Sequence, residues 1–149
     1  MATHQASTAT DREPLRGIAL VVGAVFLVVG ILGFIPGVTT NTDDLEFAGH
    51  ESGAELLDVF QVSILHNAVH ILFGIAGLAL ARSISGARMF LVGGGAIYLV
   101  LWVYGLVIDR ASDANFVPLN DGDNWLHLGL GVVMLGLGLV VARKREEVT

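Results

Sequence analysis

The chain of 149 residues has no cysteine and little charge, and each shortage excludes a class of protein. Without cysteine it has no disulfides, no thiolate metal ligands and no thiol–disulfide chemistry. Only 15% of its residues are charged, whereas 54% are hydrophobic and the mean hydropathy is +0.72. A soluble domain of this size cannot hide so much apolar surface, because much of a small fold faces solvent. The composition therefore predicts an integral membrane protein.

Four apolar stretches approach the length of about 20 residues that crosses a bilayer. We predict spans at residues 16–35, 61–81, 90–108 and 124–142. Together they form a transmembrane domain at 15–142, between a disordered cytoplasmic N-terminus at 1–14 and a charged cytoplasmic tail at 143–149. The predicted fold class is an all-α membrane protein, a bundle of four transmembrane helices.

The basic residues predict the orientation of this bundle. All but one of the Lys and Arg residues fall on the same side of the four spans: Arg12, Arg16, Arg82, Arg88, Arg143, Lys144 and Arg145. The positive-inside rule then places both termini in the cytoplasm of a multi-pass protein in the bacterial plasma membrane. The acids cluster in the two outer loops, the net charge is −6, and no nucleic-acid partner is expected.

The two halves of the chain resemble each other. The segment 23–28 matches 95–100 without a gap, and Asn-x-x-His occurs both at Asn67–His70 and at Asn124–His127. Each half holds two spans, so we predict two repeated helical hairpins of the same orientation. Chance similarity between apolar helices is the alternative.

Polar side chains form a stripe on the second span and another on the fourth: Ser63, His66, Asn67, His70, Asn124 and His127. Such groups are costly in a membrane, so both stripes are expected to face the bundle interior. In one interpretation they bond across helices 2 and 4 as a structural clamp. In the other they bind a ligand: haem b, a quinone or a metal at His66, His70 and His127. No catalytic residue is assigned, and no cofactor is expected unless it is haem b.

Two loop features add local predictions. Ser52 followed three residues later by Glu55 has the pattern of a capping box, which predicts a helix that continues into the second span. Asp123 or Asn124 is expected near the N-cap of the fourth helix.

Several segments together resemble the bacterial membrane family called domain of unknown function 4383: residues 34–37, 60–70, 115–120 and 123–127. The resemblance extends from about Arg16 to Ala142. It implies a four-helix membrane protein and carries no established activity. The sequence thus favours a non-enzymatic structural or accessory subunit that contacts the lipid bilayer and forms a homo-oligomer or joins a larger membrane complex. The alternative is a redox or ligand-binding protein, and proton or small-solute transport is a weaker one.

Overall fold

The computed structural model describes residues 13–143, and side-chain environments are described for residues 14–139. Four helices dominate it, as the predicted all-α class requires: α1 (Glu13–Leu32), α2 (Ile64–Leu80), α3 (Ile84–Val107) and α4 (Asp121–Arg143). The predicted disordered terminus and charged tail fall mostly outside the described residues. Glu13 and Pro14, assigned to that terminus, belong to α1.

The helices pair as two hairpins. α1 lies mainly against α2, and α3 lies mainly against α4, whereas contacts between the hairpins are sparser. The core where they meet is built around Phe26, Phe90, Leu91, Tyr98 and Met134. Within residues 13–143, the helices α1 and α3 are both long and apolar enough to cross a membrane, and α2 is a shorter apolar helix.

The helix boundaries differ from the predicted spans because polar caps decide them. The helix α3 begins six residues before the predicted position 90, since the Ser83 hydroxyl accepts a hydrogen bond from Gly86 N at 3.0 Å. The helix α1 ends at Leu32 rather than at residue 35. There the Thr39 hydroxyl donates to Leu32 O at 2.9 Å and occupies one of the free carbonyls at the helix end.

The loop between α1 and α2 contains a small antiparallel sheet in the order β1 (Thr39–Thr40), β2 (Glu55–Leu56) and β3 (Phe60–Gln61). The predicted helix from Ser52 is therefore wrong. The buried Ser52 hydroxyl donates to Val62 O at 2.5 Å and accepts from Glu46 N, so it holds the loop together instead of capping a helix. The turn between β2 and β3 places Leu57 and Asp58 at a positive φ of 56°.

Candidate functional site

Ser63 and Asn120 begin the two helices that carry the polar stripes. The Ser63 hydroxyl accepts from His66 N at 3.1 Å, and Asn120 Oδ1 accepts from Asp123 N at 2.9 Å. Each is the N-cap of its helix, because its side chain bonds a backbone N–H that no helical carbonyl reaches. Ser63 thus has a structural task, and the fourth helix is capped one turn earlier than predicted.

Asn67 and Asn124 each lie against a glycine of the same hairpin, Gly33 just after the end of α1 and Gly105 in α3. A Cβ built on Gly33 would collide with the Asn67 amide, and one built on Gly105 would collide with the Asn124 amide. The two contacts occupy corresponding places in the two hairpins, since Gly33 aligns with Gly105 as Asn67 does with Asn124. Both asparagine side chains therefore fit because the residue opposite each of them is a glycine, which has no side chain.

Two further glycines bring each pair of helices into close contact. A Cβ on Gly23 would lie 2.9 Å from Leu78 N and 3.1 Å from Gly74 O. In the second hairpin, a Cβ on Gly95 would lie 2.6 Å from Leu135 N and 3.0 Å from Gly131 O. Such small residues let helix backbones approach closely, as in membrane helix pairs.

His66 and His70 form a flat aromatic surface on α2. Their ring centroids are 4.4 Å apart and their planes are 6° from parallel. His70 Nδ1 lies 3.0 Å from the His66 carbonyl oxygen, so the proton of its neutral form is assigned to Nδ1 and Nε2 is left as an acceptor.

The third histidine of the site, His127, belongs to the other hairpin and contacts Tyr98. Their ring centroids are 5.2 Å apart and their planes are inclined by 55°. In the first hairpin, Phe26 and His70 meet in nearly the same way, at 5.5 Å and 50°. The register of the internal match pairs Phe26 with Tyr98 and His70 with His127.

All three histidines line one cavity of about 310 Å³. Tyr98 and Phe73 extend its aromatic wall, and residues 116–118 of the loop between α3 and α4 cover it. Among the described residues, no Lys, Arg, Asp or Glu lines this cavity, which we call the histidine pocket. Its size is at the lower end of the range of about 300–1,000 Å³ for small-molecule sites, which suits a ligand of one or two rings.

The predicted hydrogen bonds between α2 and α4 do not form. Among the described side chains, the buried atoms without a partner include His66 Nδ1, Asn67 Nδ2, Asn124 Oδ1 and His127 Nδ1. The clamp prediction is wrong in this respect, because each asparagine faces a glycine of its own hairpin and the histidines surround a cavity. Buried polar atoms of this kind are rare and costly when nothing bonds them.

Metal binding was one interpretation of His66, His70 and His127. Within residues 13–143, no three His, Asp or Glu side chains are grouped closely enough to hold a metal ion.

The sequence did not reveal the contacts that Asp123 makes with the loops. This residue is buried at the start of α4, where its Oδ2 accepts from Asn120 N and from Gln61 N, both at 3.1 Å. Burial raises its pKa to about 7, although these two N–H donors and Arg110 act in the opposite direction. With Asn120, whose side chain donates to Val59 O at 2.7 Å, it joins the two outer loops.

Sequence reasoning also missed Tyr98 as part of the site. Its signal was present, because Tyr98 aligns with Phe26 in the first part of the internal match and His127 aligns with His70 in the second. The loop segment 116–118 carried no such signal, since only the folded chain brings it over the histidines.

Comparison with known protein families gives one match. The family described as Domain of unknown function (DUF4383) matches residues 16–140, which confirms the predicted family. No curated protein matches the chain. No solved structure matches it.

Proposed function

Because the chain belongs to the family Domain of unknown function (DUF4383), which has no assigned activity, we propose a function from its structure. The protein is a four-span integral membrane protein that binds a small uncharged ligand in the histidine pocket. The observation that carries this proposal is the cavity of about 310 Å³, into which two hairpins together direct three imidazole rings.

The surface of the helices supports four spans. Large apolar side chains are exposed on all four helices, for example Val21, Leu72, Val100 and Val132. In water such a surface drives association, whereas in a bilayer it lies against lipid. Two helices are long enough to span a bilayer, and each packs mainly against one of the other two. This arrangement fits a membrane bundle of two hairpins better than a soluble core.

The orientation proposal rests on the basic residues. Arg16 Nε donates to Ala81 O at 3.1 Å, so the start of α1 lies beside the end of α2 and its neighbour Arg82. With Arg88 at the start of α3, this end of the bundle is basic, and the positive-inside rule favours the cytoplasm for it and for both termini. The acidic loops and the histidine pocket then belong to the outer half of the bacterial plasma membrane.

Cysteine labelling tests this topology without background, because the chain has no cysteine of its own. We expect Glu51→Cys in the outer loop to react with a membrane-impermeant maleimide in intact cells. The matched variant Ser85→Cys, in the first turn of α3, should react only after the membrane is opened. Labelling of Ser85→Cys in intact cells would overturn the orientation.

The ligand proposal follows from charge and hydrogen bonding. A charged imidazolium has no acidic partner in the pocket, so the rings are neutral there. The fatty-acid carboxylate and the lipid phosphate are disfavoured for the same reason, because no basic residue lines the cavity. A neutral molecule with one or two polar atoms can bond the Nε2 atoms of His66 and His127, whose Nδ1 atoms are buried without a partner.

Thermal shift with defined probes tests ligand binding. We would measure the unfolding midpoint of the detergent-purified protein with indole, 1-naphthol, a decyl-tailed benzoquinone or decanoate. At least one neutral probe should raise the midpoint of the wild type and fail to do so in His127→Leu, and decanoate should have no effect. The control His50→Leu alters a histidine outside the pocket and should respond like the wild type. A panel without any shift that depends on His127 would overturn the proposal.

A second candidate function is that of an accessory subunit, and the open glycines favour it. A Cβ built on Gly17 or Gly93, on α1 and α3, would meet nothing within 4 Å, and the same holds for Gly129 and Gly136 on α4. These positions let another membrane helix approach. Cross-linking in native membranes should give a dimer or a partner band that Gly93→Leu removes and Val100→Leu retains. A monomer alone in both samples would overturn this role.

A further inference from the structure

We infer that the ligand of the histidine pocket is a membrane-dissolved quinone, whose ring head group enters between α2 and α3 from the lipid side. This inference rests on the proposed ligand-binding function and specifies both the chemical class and the path. It concerns binding and includes no electron transfer.

Three residues that line the pocket are also exposed: Val69, Ile97 and Phe116, the last of them in the loop between α3 and α4. The two that lie on helices indicate the path. Val69 on α2 and Ile97 on α3 both line the cavity, yet their exposed fractions are 51% and 53%. A side chain can satisfy both conditions only at the rim of an opening. The helices α2 and α3 also contact each other much less than the helices within each hairpin do. The rim therefore lies at a sparsely packed helix–helix seam, on the apolar outer surface of the bundle.

The opening selects molecules that reside in the bilayer. A ligand that arrives between two lipid-facing helices must itself partition into lipid, and its apolar tail can stay in the seam while the head group is inside. Phospholipids and fatty acids meet this condition, but their charged groups find no basic side chain in the cavity. What remains is a lipid-soluble molecule with a compact, uncharged and polar head.

The hydrogen-bonding groups favour a ring with carbonyl oxygens. Because Nδ1 of His66 and of His127 is buried without a partner, we assign the proton of each neutral ring to Nε2, where it is a donor for a ligand. His70 is the opposite tautomer, since its Nδ1 donates to the His66 carbonyl and its Nε2 accepts. Two donors fit the two carbonyl oxygens of a quinone, and the acceptor fits a hydroxyl of the reduced form.

The shape of the wall agrees with a flat ring. The parallel rings of His66 and His70 present an aromatic surface, and Tyr98 and Phe73 complete it. Aromatic rings stack favourably on such surfaces. An aliphatic alcohol makes no such contact.

Photo-crosslinking in lipid nanodiscs tests the class and the path together. The probe is an azido-benzoquinone with a ten-carbon tail, and the labelled peptides are identified by mass spectrometry. We expect label on the α2 and α3 segments that line the pocket, and competition by the same quinone without the azide. Val69→Trp should reduce labelling at least fivefold, because the indole closes the seam.

The matched control is Ile75→Trp. Ile75 lies on the same helix with the same exposed fraction of 51%, but it does not line the cavity. It should label like the wild type. A tail-less, water-soluble benzoquinone should still raise the unfolding midpoint of detergent-solubilised Val69→Trp, which shows that the variant folds and that the pocket persists.

The outcomes separate this inference from the function on which it rests. The lateral path is overturned if Val69→Trp leaves labelling unchanged. It is also overturned if Ile75→Trp lowers labelling as much as Val69→Trp does. If indole and 1-naphthol are the sole probes whose thermal shift depends on His127, the quinone assignment fails and the ligand-binding function stands. If no probe depends on His127, both fail.

Discussion

Phe26 and Tyr98 stack with their ring centroids 5.4 Å apart and their planes 19° from parallel, although they come from α1 and α3. Phe26 contacts His70 of its own hairpin, and Tyr98 contacts His127 of the other. The stack therefore joins the hairpins at the centre of the core and places the two histidines on either side of it. One ring of the pair also lines the histidine pocket, so stability and ligand binding share this contact.

Removing Phe26 should cost more than removing any exposed aromatic residue. We expect Phe26→Ala to lower the free energy of unfolding by about 3–5 kcal/mol, because it leaves a cavity against three aromatic neighbours. Phe47→Ala is the control, since Phe47 is 67% exposed in the outer loop. Reversible unfolding in detergent measures both, and equal losses would contradict the central role of the stack.

Alanine at Gly33 and at Gly105 should destabilise the two hairpins to a similar degree. Each new methyl group would collide with the asparagine amide opposite it, and overpacking of this kind costs about 1–3 kcal/mol. Gly93→Ala, in the same helix as Gly105, meets nothing within 4 Å and should be neutral or stabilise by about 0.5–1 kcal/mol. The unfolding midpoints of the three variants test the equivalence of the hairpins.

The collision at Gly105 should depend on Asn124. Shortening the amide in Asn124→Ser makes room for the added methyl, so the double variant should lose less stability than the sum of the two single variants. Strict additivity would mean that the alanine acts through some contact other than Asn124.

Protonation of Asp123 should stabilise the fold. Burial raises its pKa from 3.8 to about 7, so the folded protein holds a proton that the unfolded chain has lost. Its contribution is fully present below pH 4 and disappears as the pH rises from 4 to 7, by roughly 4 kcal/mol at most. Unfolding midpoints of wild type and Asp123→Asn at pH 4.5 and 8 check this. The difference between the two proteins should change across that interval, and a constant difference would contradict the assignment.

Loss of the two N-caps should be unequal. Ser63→Ala removes one cap bond, which is worth about 1 kcal/mol. Asn120→Ala should cost more, because Asn120 also donates to Val59 O and ties the outer loops together. The exposed Ser85→Ala is the control and should stay within about 0.5 kcal/mol. Hydrogen exchange at Gln61 N should accelerate in Asn120→Ala and stay unchanged in Ser63→Ala.

The sequence by itself determined the helical class, the family and the residues of the polar stripe. Apolar stretches of near-spanning length, with caps and turns between them, leave the backbone few alternatives to helices. The helix ends were harder to predict, because the side-chain caps of Ser83 and Asn120 decide where α3 and α4 begin. Ser52 and Glu55 show the limit of local patterns, since a tertiary bond to Val62 O overrides a capping box.

Only the tertiary structure decided what the polar stripe does. Periodicity places His66, His70 and Asn67 on one side of α2, but it cannot tell which partner that side meets. Asn67 faces a glycine of its own hairpin, and the histidines surround a cavity with His127. The physical reason is that hydrogen bonds and cavities are set by distances between elements, which depend on how whole helices pack rather than on the order of residues within one helix.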